Sequence, residues 1–304
     1  FINPAAQLGV ISGNTTQVIT LSDTSVNMST ALVTGTAYYA EITAGPDVTY
    51  VGDRFEVDAT GTIASANNTI TITPDASTNT MASLPASLDG YTVTIRPHVT
   101  LGQLFGTKAN ELMHGSANLS TADQVAFFNP QTQSYLTYYY LRNPSGTFAQ
   151  WSLVGGGATN RDNTPIPPGV GFIVQRNDAT PVTLTWSGAI RRNSFAQPLA
   201  AGLNLVAESV PVSSSPLDRT LTYANGIQGS ANLSTADQVS IYNGTGYSTY
   251  YLLRNPSGTF EQWTLVGGGS TNQNNTKIFT PTGAVFIRKI LADPHYLAPY
   301  TLSL

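Results

Sequence analysis

The chain has 304 residues, 41% of them hydrophobic but only 10% charged, against roughly 25% charged in an average soluble protein. A net charge of -4 with no basic stripe argues against nucleic acid, and the absence of cysteine excludes disulfides, thiolate metal sites and thiol nucleophiles. Three lysines stand among thirteen basic residues, so the surface is built from Thr, Ser, Asn, Gln and Gly, as in exported β-proteins.

Taken in order, residues 1–100 read as short strands. GVISGNTTQVITLSDTSV forms two strands about a Gly-Asn turn. AYYAEITAG, TYVGDRFEVDATG and NTITITPD follow, each alternating and bounded by Gly, Asn or Asp. The alternation is cleanest at Thr69–Thr73, where Ile70 and Ile72 share one face and threonines the other, the period of a half-buried strand. GYTVTIRPH is a further strand, stopped by Pro97. The spacing of Leu101, Leu104, Phe105, Leu112 and Met113 predicts helix within Leu101–Leu119, broken into short turns at Gly106.

The remainder is organised by a repeat. GSANLSTADQV occurs at Gly115–Val125 and again, unchanged, at Gly229–Val239. The likeness continues through Tyr138-Tyr139 and Tyr250-Tyr251, LRNPSGTF at Leu141 and Leu253, Trp151 and Trp263, and LVGGG at Leu153 and Leu265. In the first copy Asp123–Asn129, Tyr135–Arg142 and Thr147–Val154 read as strands, with Asn143-Pro144-Ser145-Gly146 as a turn. Val125 and Phe127 share one face; Gln124, Ala126 and Phe128 share the other. GFIVQ at Gly171–Gln175 and Thr183–Trp186 are further strands, and Gly202–Val206 precedes a Pro/Ser connector. The expected architecture is all-β, with antiparallel sandwich- or barrel-like domains and an internal duplication in the C-terminal two-thirds: 1–100, 101–198 and 199–304.

The blocks YYAEITAGP, GDRFEVD, SLDGYTVTIRPHVTLGQLFG, STADQVAFFNPQTQSYLTYYYL and PPGVGFIVQR, in that order, resemble a paralogous group of secreted β-proteins from verrucomicrobia and related bacteria. The resemblance covers most of residues 37–176, and the second copy repeats the later blocks with GAVFIRK in place of the glycine-rich strand. It implies export and β-structure, not a reaction, and a short segment preceding Phe1. The start at Phe1, without Met or signal peptide, also points to the processed or ordered part of a longer precursor.

No catalytic constellation is legible. His98, His114 and His295 lie far apart in sequence without ligand spacing, so no metal and no cofactor are expected. Gly155–Gly157 and Gly267–Gly269 lack the Lys-Ser and helix of a phosphate loop. Asp123 and Asp237, with Ser120 and Ser234, read as turn or cap residues. Asn14, Asn27 and Asn118 begin Asn-x-Ser/Thr sequons.

Two functions remain, neither an enzyme. One is a structural subunit of an extracellular filament, sheath or surface matrix, a homopolymer joined head to tail by addition of a terminal strand, with Phe1, Ile2, Leu8, Val10 and Ile11 as donor residues. Burying a strand of that length would contribute on the order of 10 kcal/mol before ordering costs. The other is a secreted carbohydrate-binding module with polysaccharide as partner, in which Tyr139, Tyr251, Trp151 and Trp263 form an exposed aromatic surface. No run of apolar residues is long enough to span a membrane.

Overall fold

A computed structural model of the chain describes residues 2–64, 67–73, 80–186, 191, 193–208, 212–281 and 283–298. Phe1, part of the expected donor segment, and residues 299–304 lie outside the described residues. The fold is all-β and antiparallel throughout its named sheets, as its alternating short segments and turn residues dictate.

The first six strands close a barrel: β1 (Gln7–Asn14), β2 (Val18–Leu21), β3 (Tyr38–Ala44), β4 (Arg54–Val57), β5 (Thr69–Thr73) and β6 (Thr92–Pro97), in the order β1-β2-β5-β4-β3-β6. The inward half of each alternating run fills it. Ile11, Ile19, Leu21, Ala40, Ile42, Phe55, Ile70, Val93 and Ile95 belong to one buried cluster. Two short helices, α1 (Met28–Ala31) and α2 (Ala59–Ala64), lie between barrel strands, and Met28 of α1 joins this core.

The helix expected over Leu101–Leu119 is realised only as α3 (Leu101–Phe105). It follows β7 (Val99–Thr100) and starts at a capping box in which Thr100 and Gln103 each satisfy the other's backbone N–H. Gly106 ends it at φ 88°, and a Cβ there would meet the Asn110 carbonyl oxygen at 2.2 Å. The chain turns instead into the tight ladder β8 (Gly106–Thr107) with β9 (Asn110–Glu111).

Each repeat builds one sheet. The first contains β10 (Gln124–Asn129), β11 (Ser134–Arg142), β12 (Ala149–Leu153) and, after the short β13 (Pro165–Ile166), β14 (Phe172–Gln175); its order is β12-β11-β10-β14. After the repeat, β15 (Phe195–Leu199) and β16 (Gly202–Ala207) precede β17 (Gln238–Tyr242), β18 (Tyr247–Arg254), β19 (Glu261–Leu265), β20 (Ala284–Lys289) and β21 (Asp293–Ala298). The second sheet runs β19-β18-β17-β20-β16, and β15 pairs with β21. The strand expected at Thr183–Trp186 is not formed. Its side chains anchor it instead: Trp186 donates from Nε1 to the Leu104 carbonyl at 2.9 Å and meets Phe105 edge-on.

Each repeat has its own buried cluster, centred on Val125, Tyr140 and Trp151 in the first and on Val239, Leu252 and Trp263 in the second. Phe128, Leu205 and Phe286 form a small cluster between the two sheets. The barrel is tied to the chain leaving the first repeat. Arg54 donates from Nη1 to Pro168 O at 2.6 Å and lies over the Phe195 ring, Arg191 pairs with Glu41, and Asn193 also donates to Glu41. Burial pulls the Arg54 guanidinium down to about 10.

Candidate functional surface

The expected donor strand is built into the molecule. β1 has partners on both sides within its own chain: Gln7–Val10 pair with β6 and Ile11–Asn14 with β2, with a register shift between Ile11 and Gly13. It is the strand that closes the barrel. Ile11 is fully buried in the core and Ile2 is buried beside Tyr39 and Pro97, whereas Leu8 and Val10 are 60% and 46% exposed. Alternation explains the division: Leu8 and Val10 point outward from the strand on which Ile11 points inward.

The expected aromatic surface is corrected. Trp151 and Trp263 are both buried, at 0% and 2% exposure, and their Nε1 groups donate to Gly106 O and Leu221 O. Register gives the reason. Tyr139 pairs with Ser152 and Tyr140 with Trp151; Tyr251 pairs with Thr264 and Leu252 with Trp263. Directly paired residues share a face and successive residues do not, so each tryptophan lies on the face opposite its tyrosine. Tyr139 and Tyr251 are half-buried beside Gln124 and Gln238. The four residues make no common ring platform for a sugar.

The repeated aspartate has a larger role than a turn. Asp237 is buried; its Oδ2 accepts from Gln228 N at 2.9 Å and from Lys289 Nζ at 2.6 Å, and its Oδ1 accepts from Ile290 N at 2.6 Å. Asp123 repeats the pattern with His114 N and Asn177 N, both at 2.8 Å, and with Arg176 as the cation. One carboxylate thus ties the segment entering each repeat to the strand leaving it, β14 or β20, with a cation covering the charge. The sequence signal was present in part: Arg176 and Lys289 stand at equivalent places at the ends of β14 and β20, but only pairing shows that they meet the aspartates.

The glycine triplets are turns. After each, a polar loop folds back along the outer edge of the repeat's last hairpin strand. Trp151 N donates to Asp162 Oδ1 and accepts Arg161 N through its carbonyl, both at 2.8 Å. Trp263 does the same with Asn274 Oδ1 and Gln273 N.

The histidines are dispersed. His98 is buried with Nε2 2.8 Å from Glu56 Oε2, His114 lies 3.7 Å from Asp178, and His295 Nε2 is 2.6 Å from Asp53 Oδ1. The Asp53 partnership raises the His295 imidazole above its ordinary value, against the opposing effect of burial. Among the described residues no group of three or more potential ligands could hold a metal ion, and no helix is long and apolar enough to cross a membrane. A concave apolar space of about 260 Å³ is lined by Ile2 and Tyr39 at the barrel, Leu104, Phe172 and Trp186 at the first repeat, and Ala207 and Ala284 of the second sheet. No family model, curated protein or solved structure matches this chain.

Proposed function

We propose that this chain is a structural subunit of an extracellular filament, sheath or surface matrix, assembled head to tail by exchange of β1 between barrels. The observation that carries the reading is the place of β1. It is the first strand of the chain, it supplies Ile11 to the core, and it closes the barrel by pairing with β6 and β2. Its link to the rest of the barrel is Thr15–Gln17. A barrel closed by one strand is equally closed by the same strand from a neighbour, and opening a short connection converts the one into the other. Passed from each subunit to the next rather than exchanged back, such a contact propagates as a fibre where its rotation does not close a ring. The low charge and the resemblance to secreted verrucomicrobial proteins support an exported setting.

The test uses the absence of native cysteine. Val10 pairs with Thr92, so Val10→Cys with Thr92→Cys places two thiols side by side. If β1 is exchanged, oxidation of assembled protein gives a ladder of covalent oligomers on a denaturing gel. Monomers carrying only an internal disulfide, recovered from intact fibres, would overturn strand exchange. Electron microscopy of the released protein tests for fibres directly.

A further inference from the structure

A polar cleft of about 310 Å³ lies between the barrel and the first repeat, at the lower end of the roughly 300–1,000 Å³ of small-molecule sites. The barrel lines it with residues 35–37, which lead into β3, and with Pro97 and His98 at the end of β6. The first repeat lines it with Gly102 and Gln103 of α3, Thr107 of β8 and Asn163 of the loop before β13. Gly35, Ala37, Gln103 and Asn163 are exposed, whereas His98 and Gly102 are buried, so the cleft opens to solvent over a closed floor. Among the described residues that line it, none carries a fixed charge and none is a tryptophan.

His98 sets the chemistry of that floor. It is 2% exposed and its backbone is fixed at both ends, N donating to Ala37 O at 2.9 Å and the carbonyl accepting from Asn3 Nδ2 at 3.1 Å. Its ring is held by Glu56 Oε2, 2.8 Å from Nε2, and by Tyr39, with ring centroids 5.0 Å apart. The carboxylate can only accept, so Nε2 carries the proton, and the neutral imidazole presents Nδ1 as an acceptor. Glu56 is not part of the cleft, so Nε2 points away from it and Nδ1 is left on its side. Nδ1 is buried and meets no partner among the described residues. Buried polar atoms are almost always hydrogen-bonded, and a ring held at Nε2 cannot turn away, so the missing donor is a group seated on the floor of the cleft.

We propose that this cleft binds a neutral sugar residue, free or as one unit of a glycan chain, with a hydroxyl of the sugar donating to His98 Nδ1. The mixed set of donors and acceptors selects that chemistry. Gln103 Oε1 already accepts from Thr100 N, so its Nε2 is left to donate. Thr107 Oγ1 accepts from Ala109 N at 3.3 Å and keeps its proton to donate. The Thr36 hydroxyl and the Asn163 amide bond nothing among the described residues, and each both donates and accepts. A phosphate or carboxylate only accepts, and Glu56 behind the imidazole repels it; an ammonium only donates. Hydroxyl groups do both. Pro97 and Ala37 offer apolar contact to the ring carbons. No residue of the cleft belongs to β1, so the site is independent of strand exchange.

The test is calorimetric titration of the whole chain with glucose, galactose, mannose and N-acetylglucosamine, and with tetrasaccharides of each. Imidazole 15N resonances of the three histidines are followed in parallel. The free protein is expected to show His98 protonated at Nε2. A bound sugar moves the His98 Nδ1 resonance and leaves His114 and His295 in place. Thr36→Val and Asn163→Ala, which break no bond within the chain, each weaken binding about tenfold and leave the thermal transition unchanged. A tetrasaccharide that binds tighter than its monosaccharide assigns the cleft to a glycan chain; equal affinities assign it to a free sugar. A proton on His98 Nδ1, no binding by any of these sugars, or binding that Thr36→Val and Asn163→Ala leave intact overturns the proposal. Fibres from a chain that binds no sugar would remove this inference and keep strand exchange; sugar binding by a chain that never assembles would do the reverse.

Discussion

At the scale of single residues, the two repeated aspartates hold their units together, and burial separates their weights. Lys289 and Asp237 are both sealed from water, while Arg176 beside Asp123 is about a quarter exposed. Breaking one partner of a buried pair leaves an uncompensated charge and costs about 3–5 kcal/mol, whereas solvent repays much of the loss at a partly open pair. Asp237→Asn is therefore expected to destabilise the protein by about 3–5 kcal/mol in urea unfolding and Asp123→Asn by clearly less. Equal losses would show that the backbone N–H bonds to the carboxylate, common to both, outweigh the cation.

At the scale of elements, the three tryptophans separate by their place in the sheet. Trp151 and Trp263 point inward and donate to carbonyls, while Trp186, outside any strand, is 45% exposed. Acrylamide is expected to quench one fluorescent component, which Trp186→Phe removes, leaving blue-shifted emission that glycans do not alter. A glycan-dependent change in Trp186→Phe would restore the sugar-binding reading. The strands themselves were legible from period-2 alternation at β5, β10 and β12. The helix was legible from Leu101 to its break at Gly106 but not beyond, because Leu112 and Met113 continue the apolar spacing past a glycine whose conformation a helix cannot hold. Thr183–Trp186 alternates like a strand, but alternation describes faces and does not supply a backbone partner.

At the scale of the whole molecule, one titrating contact joins the last strand to the barrel. His295 of β21 bonds Asp53, next to Arg54 of β4, and Asp293 also faces the imidazole. A histidine raised by a carboxylate favours the folded state while it is protonated. That contribution is complete below the unfolded imidazole value, about 6.5, and is lost as pH rises through the higher folded value. Thermal stability is thus expected to fall from pH 6 to pH 8, with His295→Gln flattening the slope. An unchanged slope in that variant would place the pH dependence elsewhere.

Composition and periodicity by themselves determined that the chain is all-β, that its C-terminal two-thirds is a duplication, and which residues of β10 share a face. Those properties follow from local alternation and from identity along the chain, and both are written residue by residue. The tertiary structure decided the rest. It closed the first six strands into a barrel and seated β1 as the closing strand. It turned Trp151 and Trp263 away from Tyr139 and Tyr251, and set Arg176 and Lys289 on the repeated aspartates. It also added β16 to one repeat's sheet, with no counterpart strand beside β14 among the described residues. Each is a matter of which backbone groups meet across long stretches of chain. Register and strand order settle that, and no local pattern encodes them.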